Sequence, residues 1–336
     1  MSSKVRLAFV GLGWWSNKLA DAAAQCDNIE IAACYSRSLE KRDLFRKQYG
    51  GVGKETYEEL LEDKSIDGIV LTTPNSLHVT QTVDAANYGK HVYVEKPMAI
   101  TVEECKKMID ASKSNNVILM IGQNSRRMAR FRKAKQMIEQ GLLGKIVLVE
   151  ANSSGDLGMK LTPDNWRGHK KESPAGPLMS YTVHQADNLN YLIGPITKIT
   201  AFKSKLCGPA ETDDVFTSIA QFENGALGYI GGSFITPDRK LLQIHGTEGV
   251  ILLDEDDGSI SYQKKGTKHM VKTIMPNPDQ QRLDSLKEEI KEFADCIQLG
   301  KEPEVTGAVG MNAIAIIEAI YRSAENGNTT QLRDLL

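Results

Sequence analysis

No C-x-x-C pair, no low-complexity tract and no internal repeat occurs in these 336 residues. Each absence excludes something. The five cysteines, Cys26, Cys34, Cys105, Cys207 and Cys296, are odd in number and unpaired in spacing, which argues against a disulfide framework and a zinc site. They read as buried thiols of a reducing compartment. Lys and Arg total 41 against 43 Asp and Glu, a formal net charge of -2, so no basic field is present to hold nucleic acid or an anionic membrane. No segment approaches the roughly 18 uncharged apolar residues of a membrane span. The run L-A-F-V-G-L-G-W-W behind Lys4 and Arg6 has the outline of a secretory signal, but its glycines and tryptophans make a poor signal core. The expectation is a soluble cytoplasmic protein whose partner is a small molecule or another copy of itself. At roughly 150 residues per domain, about two domains are expected.

What is present divides the chain. Over 1–122, the β-branched runs V-R-L-A-F-V, I-E-I-A-A-C-Y, D-G-I-V-L-T-T, H-V-Y-V and V-I-L-M-I-G alternate with amphipathic stretches such as L-E-K-R-D-L-F-R-K-Q-Y. That alternation predicts a parallel sheet with crossover helices, a nucleotide-binding type of α/β domain. Over 123–336 a helix at Ala129–Gln140 is followed by longer strands: I-T-K-I-T-A-F-K-S-K, D-V-F-T-S-I-A-Q-F, A-L-G-Y-I-G-G-S-F and L-L-Q-I-H-G-T. E-N-G-A is a hairpin turn, so a largely antiparallel sheet is expected, closed by helices around Ser285–Leu299 and Gly310–Glu325. Its apolar strands would leave surface exposed in a monomer, which predicts a homodimer or homotetramer.

Gly11-Leu12-Gly13-Trp14-Trp15-Ser16 follows the first strand and opens a helix, where glycines permit a tight turn and close approach of a pyrophosphate. Ser16 stands in place of a third glycine. NAD-preferring sites carry an acidic residue at the end of the second strand, but this strand ends in Tyr35-Ser36-Arg37-Ser38, which leans toward NADP over NAD. Thr72-Thr73-Pro74-Asn75, with His78 beyond, ends the next strand at the same sheet edge. In Y-V-E-K-P-M-A-I a strand stops on Glu95-Lys96-Pro97, either because polar residues and proline end strands or because open α/β folds place chemistry there. In G-P-L-M-S-Y-T-V-H-Q-A-D-N-L-N-Y-L-I-G, helical spacing puts Ser180, His184, Asp187 and Tyr191 on one face, with Val183, Ala186, Leu189 and Ile193 on the apolar one. The polar stripe is either solvated or lines a cleft.

Together G-L-G-W-W-S, T-T-P-N, V-E-K-P, Asn165-Trp166-Arg167 and G-P-L-M-S-Y-T-V-H-Q-A-D resemble the Gfo/Idh/MocA family, of the glucose-fructose oxidoreductase and inositol dehydrogenase type, over nearly the whole chain. The resemblance implies an α/β protein with an N-terminal Rossmann dinucleotide-binding domain and a C-terminal α+β domain built on a large, mostly antiparallel open-faced sheet. It implies NAD(P)-dependent hydride transfer at a secondary alcohol or ketone of a sugar, polyol or cyclic diol, with Lys96 as acid/base and His184 assisting. Pro97 occupies a position that in such proteins often follows a cis peptide. Cofactor contacts are expected from Gly11, Gly13, Trp14, Trp15, Ser36, Arg37, Thr72, Thr73, Pro74, Asn75, His78, Glu95, Lys96, Gln123, Trp166 and Arg167. Substrate contacts are expected from Lys96, Arg126, Asn165, Ser180, His184 and Asp187, with Asp187 holding His184 or a second hydroxyl, and no metal. The family pattern commonly has an aspartate four residues before the histidine, where this chain has Ser180. Two other classes share the fold: a non-catalytic nucleotide-sensing regulator, against which Lys96 and His184 both count, and a redox-neutral lyase or glycosidase that uses bound NAD.

Overall fold

The structure, a computed structural model, describes residues 4–162 and 164–336. Contacts divide the chain into two units. The first takes residues up to Ala99, Glu103–Asn124 and Leu283–Met311; the second takes Ile100–Val102, Ser125–Arg282 and Asn312–Leu336.

In the first unit β1 (Val5–Val10), β2 (Ile29–Tyr35), β3 (Val52–Gly53), β4 (Gly68–Leu71), β5 (His91–Glu95) and β6 (Leu119–Gly122) form one sheet of order β3-β2-β1-β4-β5-β6. Every pairing in it is parallel. Strands β4 and β6 are buried at every residue, which is why they read as continuous apolar runs rather than alternations. The crossover helices are α1 (Trp14–Ala23), α2 (Leu39–Tyr49), α3 (Tyr57–Glu62), α4 (His78–Asn87) and α5 (Val102–Ser114), the last starting inside the short Ile100–Val102 piece of the second unit. Ser38 and Thr56 start α2 and α3 by accepting the backbone N–H of Lys41 and Glu59.

Later in the chain run α6 (Ala129–Glu139), α7 (Leu157–Lys160), α8 (Val183–Leu192), α9 (Pro278–Leu299) and α10 (Gly307–Asn326). A single cut between residues 122 and 123 assigns all of α9 to the second half, whereas contacts place it from Leu283 onward with the first sheet. The reason is apolar spacing. Leu286, Ile290, Phe293 and Ala294 share one buried cluster with Leu7, Phe9, Val70 and Tyr93. Gly68 lets the helix approach: a Cβ there would lie 3.1 Å from Ile297 Cδ1 and 3.2 Å from the Phe293 ring. Each such side chain contributes about 1.5–3 kcal/mol by leaving water. Helix α9 also begins seven residues before the expected Ser285, because Asn277 Oδ1 accepts the Gln280 N–H at 2.9 Å and Pro278 takes the first helical position.

The second unit carries β7 (Ile146–Ser154), β8 (Ile196–Ser204), β9 (Val215–Phe222), β10 (Leu227–Ser233), β11 (Arg239–Gly246), β12 (Gly249–Asp254), β13 (Ser259–Lys264), β14 (Val271–Thr273) and β15 (Thr330–Gln331). Their order is β14-β13-β12-β11-β7-β10-β9-β8-β15, antiparallel except where β10 runs parallel to β7. The E-N-G-A turn joins β9 to β10 with Gly225 at φ +88°, a conformation that favours glycine. One face is open: Phe202, Ile219, Leu227 and Tyr229 are exposed while Phe216, Ala220, Phe222 and Ile230 are buried. Four cysteines are buried as expected, but Cys207, in the loop after β8, is exposed. No helix among the described residues is long and apolar enough to cross a membrane.

Candidate active site

The order of the first sheet reverses between β1 and β4, and a crevice at such a switch is where open α/β sheets bind ligands. Gly11 leaves β1 with φ +88°, and a Cβ on it would lie 2.8 Å from the Thr72 carbonyl and the Thr73 nitrogen. Only glycine fits. Thr72 ties the two loops, its N–H donating to Val10 O at 2.9 Å and its hydroxyl to Gly11 O at 2.7 Å. Gly13 is the N-cap of α1 and offers no side-chain cap; a Cβ on it would meet nothing within 4 Å. The start of α1 thus carries no side-chain cap and has open space beside Gly13 among the described residues, as a pyrophosphate bound at a helix start needs. Ser16 is fully buried beneath this turn, Trp15 packs on the core, and Trp14 is exposed, edge-on to Trp15 at 5.1 Å.

At the end of β2 the Ser36 hydroxyl accepts the Ser38 N–H at 3.4 Å and Arg37 is exposed. Arg42, which the sequence pattern did not single out, reaches back from α2 to the Ser36 carbonyl at 2.6 Å and brings a second guanidinium to the same strand end. Beyond β4, the Thr73 hydroxyl donates to Gln81 Oε1 at 2.6 Å, Pro74 leads into a single 3-10 turn, and Asn75 is buried. His78, expected as a cofactor contact, is buried with Nδ1 3.0 Å from Pro97 O and Nε2 3.0 Å from Thr73 O. A neutral imidazole donates one of these bonds and an imidazolium both. Either form straps the Thr73 loop to the Pro97 carbonyl, just past the Lys96-Pro97 peptide, which is cis.

Strand β5 ends on buried Glu95 and half-buried Lys96. Glu95 Oε2 accepts the Lys96 backbone N–H at 3.1 Å. Burial pushes the Glu95 carboxyl up, opposed by the nearby Trp15 indole, the Lys96 charge and the Tyr93 hydroxyl. Gln123 follows β6, whose Gly122 is in register with Glu95; it is buried, and its Oε1 has no hydrogen-bond partner among the described residues. A buried amide oxygen of this kind is an acceptor that a ligand donor would satisfy. The glycine turn, the uncapped helix and this oxygen fit a dinucleotide.

In the second unit the helix bearing His184 opens with a π turn over Leu178–Thr182 before α8 begins. Such turns are rare and recur at functional sites. Ser180 lies in the π turn, so its register to His184 departs from the four-residue spacing of a plain helix. Of the polar stripe, Ser180, His184 and Tyr191 are half-buried and Asp187 is buried, with Gln185 and Asn188 buried beside it. Arg126 and Asp187, both expected to meet substrate, meet each other: Nε and Nη2 of Arg126 donate to the two Asp187 oxygens at 2.8 and 2.5 Å. The guanidinium also lies 4.9 Å from the Tyr191 ring centroid. Asn165 caps a short 3-10 turn by accepting the Arg167 N–H at 3.1 Å, and the Arg167 guanidinium stacks 4.2 Å from Trp166. Burial holds Arg167 below the usual arginine value.

Tyr181 and Lys240 escaped the sequence pattern. Tyr181 sits edge-on to Phe234 at 5.1 Å under the Lys240 ammonium at 4.8 Å, and its phenol is pushed up to about 12 by burial and by Asp238. The sequence signal is slight: Tyr181 adjoins Ser180, but Lys240 is 59 residues away.

The sequence pattern described as "Oxidoreductase family, NAD-binding Rossmann fold" matches residues 5–123, and "GFO/IDH/MocA C-terminal domain" matches residues 131–252. Among curated relatives, 1,5-anhydro-D-fructose reductase of Ensifer adhaerens is 24% identical, with 97% of this chain and 98% of the relative covered. D-xylose 1-dehydrogenase [NADP(+)] of Haloarcula marismortui is 25% identical, with 98% and 93% covered. A solved levoglucosan dehydrogenase in complex with NADH and levoglucosan superposes with a TM-score of 0.90 at 23% identity, over 98% of this chain and 100% of that one, a likeness of fold.

Proposed function

The chain belongs to the Gfo/Idh/MocA family of NAD(P)-dependent sugar and polyol oxidoreductases, and from that premise we propose that Lys96 is the acid/base, assisted by His184, in hydride transfer at a secondary alcohol or ketone of a sugar, polyol or cyclic diol. The observation that carries the reading is the placement of Lys96 at the carboxyl end of β5, its backbone N–H accepted by Glu95 and the next residue's carbonyl, that of Pro97, bonded to His78. A bound nicotinamide supplies the hydride acceptor or donor. Gly11, Gly13 and the start of α1 would hold the pyrophosphate, Ser36, Arg37 and Arg42 the adenosine ribose, and Gln123 the nicotinamide end. Lys96 Nζ takes the hydroxyl proton during oxidation and returns it during reduction, and a cationic ring nearby disfavours the ammonium. His184 orients the reacting oxygen, while Ser180 and Asn165 bind further hydroxyls. Asp187 and Arg126 contribute by fixing α8.

The test is a panel of sugars, cyclic polyols and diols followed at the nicotinamide absorbance. At least one should reduce NAD(P), or its ketone oxidise NAD(P)H; silence across the panel in both directions would reject the reading.

The end of β2 favours NADP, since guanidinium groups suit a 2'-phosphate. Exchanging Ser36 for Asp is expected to move preference toward NAD by at least about tenfold, a carboxylate accepting from the ribose diol and repelling the phosphate. Binding titrations in which the unmodified protein already strongly prefers NAD would sink the NADP assignment.

The open face around Phe202, Ile219, Leu227 and Tyr229 supports self-association, because contiguous apolar surface of this kind is rarely left in water. Light scattering at micromolar concentration should give a dimer or tetramer mass. A monomer mass would exclude it.

A further inference from the structure

At the amino ends of β5 and β6, opposite the strand ends that carry Gly11 and Lys96, lies a cleft of about 590 Å³, within the roughly 300–1,000 Å³ of small-molecule sites. It gathers the starts of those two strands, the ends of α5 and α9, and the first turn of α10. His91 opens β5 and Lys96 follows its last residue, so at about 3.3 Å per residue roughly 16 Å of strand separates the cleft from the proposed chemistry. The hydride-transfer reading uses none of its residues.

The apolar part of the lining comes from Ile109, Val117, Ile118, Ile297 and Pro303. Two polar groups among them lack partners. Ser112 is 3% exposed, and its hydroxyl has no hydrogen-bond partner among the described residues, not even the carbonyl one turn back that helical serines often take. A buried hydroxyl left in this way is destabilising until another atom meets it. His91 Nδ1 accepts the Ile118 N–H at 3.0 Å, which puts the ring proton on Nε2. Burial lowers the imidazole, opposed by the charge of Asp67, so the ring is neutral at pH 7. Its Nε2–H meets no acceptor among the described residues.

The charges at the cleft are unbalanced. Lys113 and Lys301 are exposed and have no ion-pair partner among the described residues, while Glu302 is the one acidic residue of the lining. Two ammonium groups against one carboxylate leave it net positive. The carbonyl ends of α5 and α9 do not take up these donors, since Ser112 O already accepts the Val117 N–H at 3.0 Å and Cys296 O the Lys301 N–H at 3.3 Å. Helix α10 adds the positive end of its dipole. The imidazole N–H and both ammonium groups can only donate, so a matching ligand brings acceptors.

We propose that this cleft is a second ligand site, for a small organic acid whose apolar body lies against Ile109, Ile118 and Ile297 and whose carboxylate accepts from His91, Ser112, Lys113 and Lys301. A sugar or polyol, which brings as many donors as acceptors, fits it less well. The site stands apart from the hydride-transfer reading, and its test does not depend on Lys96.

The probe is 2-naphthoate, with 2-naphthylmethanol as an uncharged counterpart of the same body. Calorimetric titration of the full-length protein, its dinucleotide crevice filled by saturating NAD(P), should give one naphthoate per chain, with the alcohol about tenfold weaker or worse. The double variant Lys113→Gln, Lys301→Gln should lose about tenfold in naphthoate affinity and leave the alcohol unchanged. Ala308→Trp, at an exposed lining position in the first turn of α10, should block both ligands while cofactor affinity and melting temperature hold. No naphthoate binding at millimolar concentration would overturn the site. Unchanged binding in Ala308→Trp would place the naphthoate elsewhere and overturn it equally. An alcohol that binds as tightly as the acid, or a double variant that keeps full naphthoate affinity, would overturn the organic-acid assignment.

Discussion

Replacing Lys96 by Met is expected to slow the chemical step by about 100-fold or more, with cofactor affinity and melting temperature little changed. Methionine keeps most of the side-chain length but cannot exchange a proton. The backbone N–H that Glu95 accepts, and the Pro97 carbonyl that faces His78, both survive the exchange. Stability should therefore hold. Three outcomes separate three roles: loss of single-turnover rate alone identifies an acid/base, unchanged turnover a strand terminus, and joint loss of rate and melting temperature a structural partner of Glu95.

The second large effect is one of stability. Asp187→Ala is expected to destabilise the second unit by about 3–5 kcal/mol, because it strips a buried guanidinium of the carboxylate that accepts two of its bonds. Urea unfolding measures it. The double variant Arg126→Met, Asp187→Leu should be less destabilised than the single one, since an apolar pair of similar volume leaves no buried charge. A single-variant loss below about 1 kcal/mol would show that the pair is not the anchor of α8.

Much of the first sheet was legible because parallel strands covered on both faces have to be apolar runs, and the turn at Gly11 admits no other residue. Strands β3 and β15, two residues each, are too short to carry a period. Helix α9 is expected around Ser285–Leu299, but its start and its packing are not readable: its capped first turns hold few apolar residues, and of its packing partners Leu7, Phe9, Val70 and Tyr93 the nearest in sequence, Tyr93, is 196 residues from Glu289. Such long-range pairings leave no local periodicity. At the candidate site the placement of Gly11, Thr72, Glu95 and Lys96 at one sheet edge is readable because chain order puts strand ends there. The place of Arg42 is not, since it depends on a side chain doubling back six residues to the Ser36 carbonyl. That Arg126 and Asp187 meet each other is not readable, because composition does not show which charge meets its neighbour 61 residues away.

Hydride transfer itself is tested most directly with a substrate from the active panel, deuterated at the reacting carbon, incubated with the protein and oxidised cofactor. The deuterium should be recovered in the reduced nicotinamide, one for each ketone formed. Deuterium kept in the product, with no net change in the cofactor, would contradict the dehydrogenase reading and point to redox-neutral chemistry on the same fold.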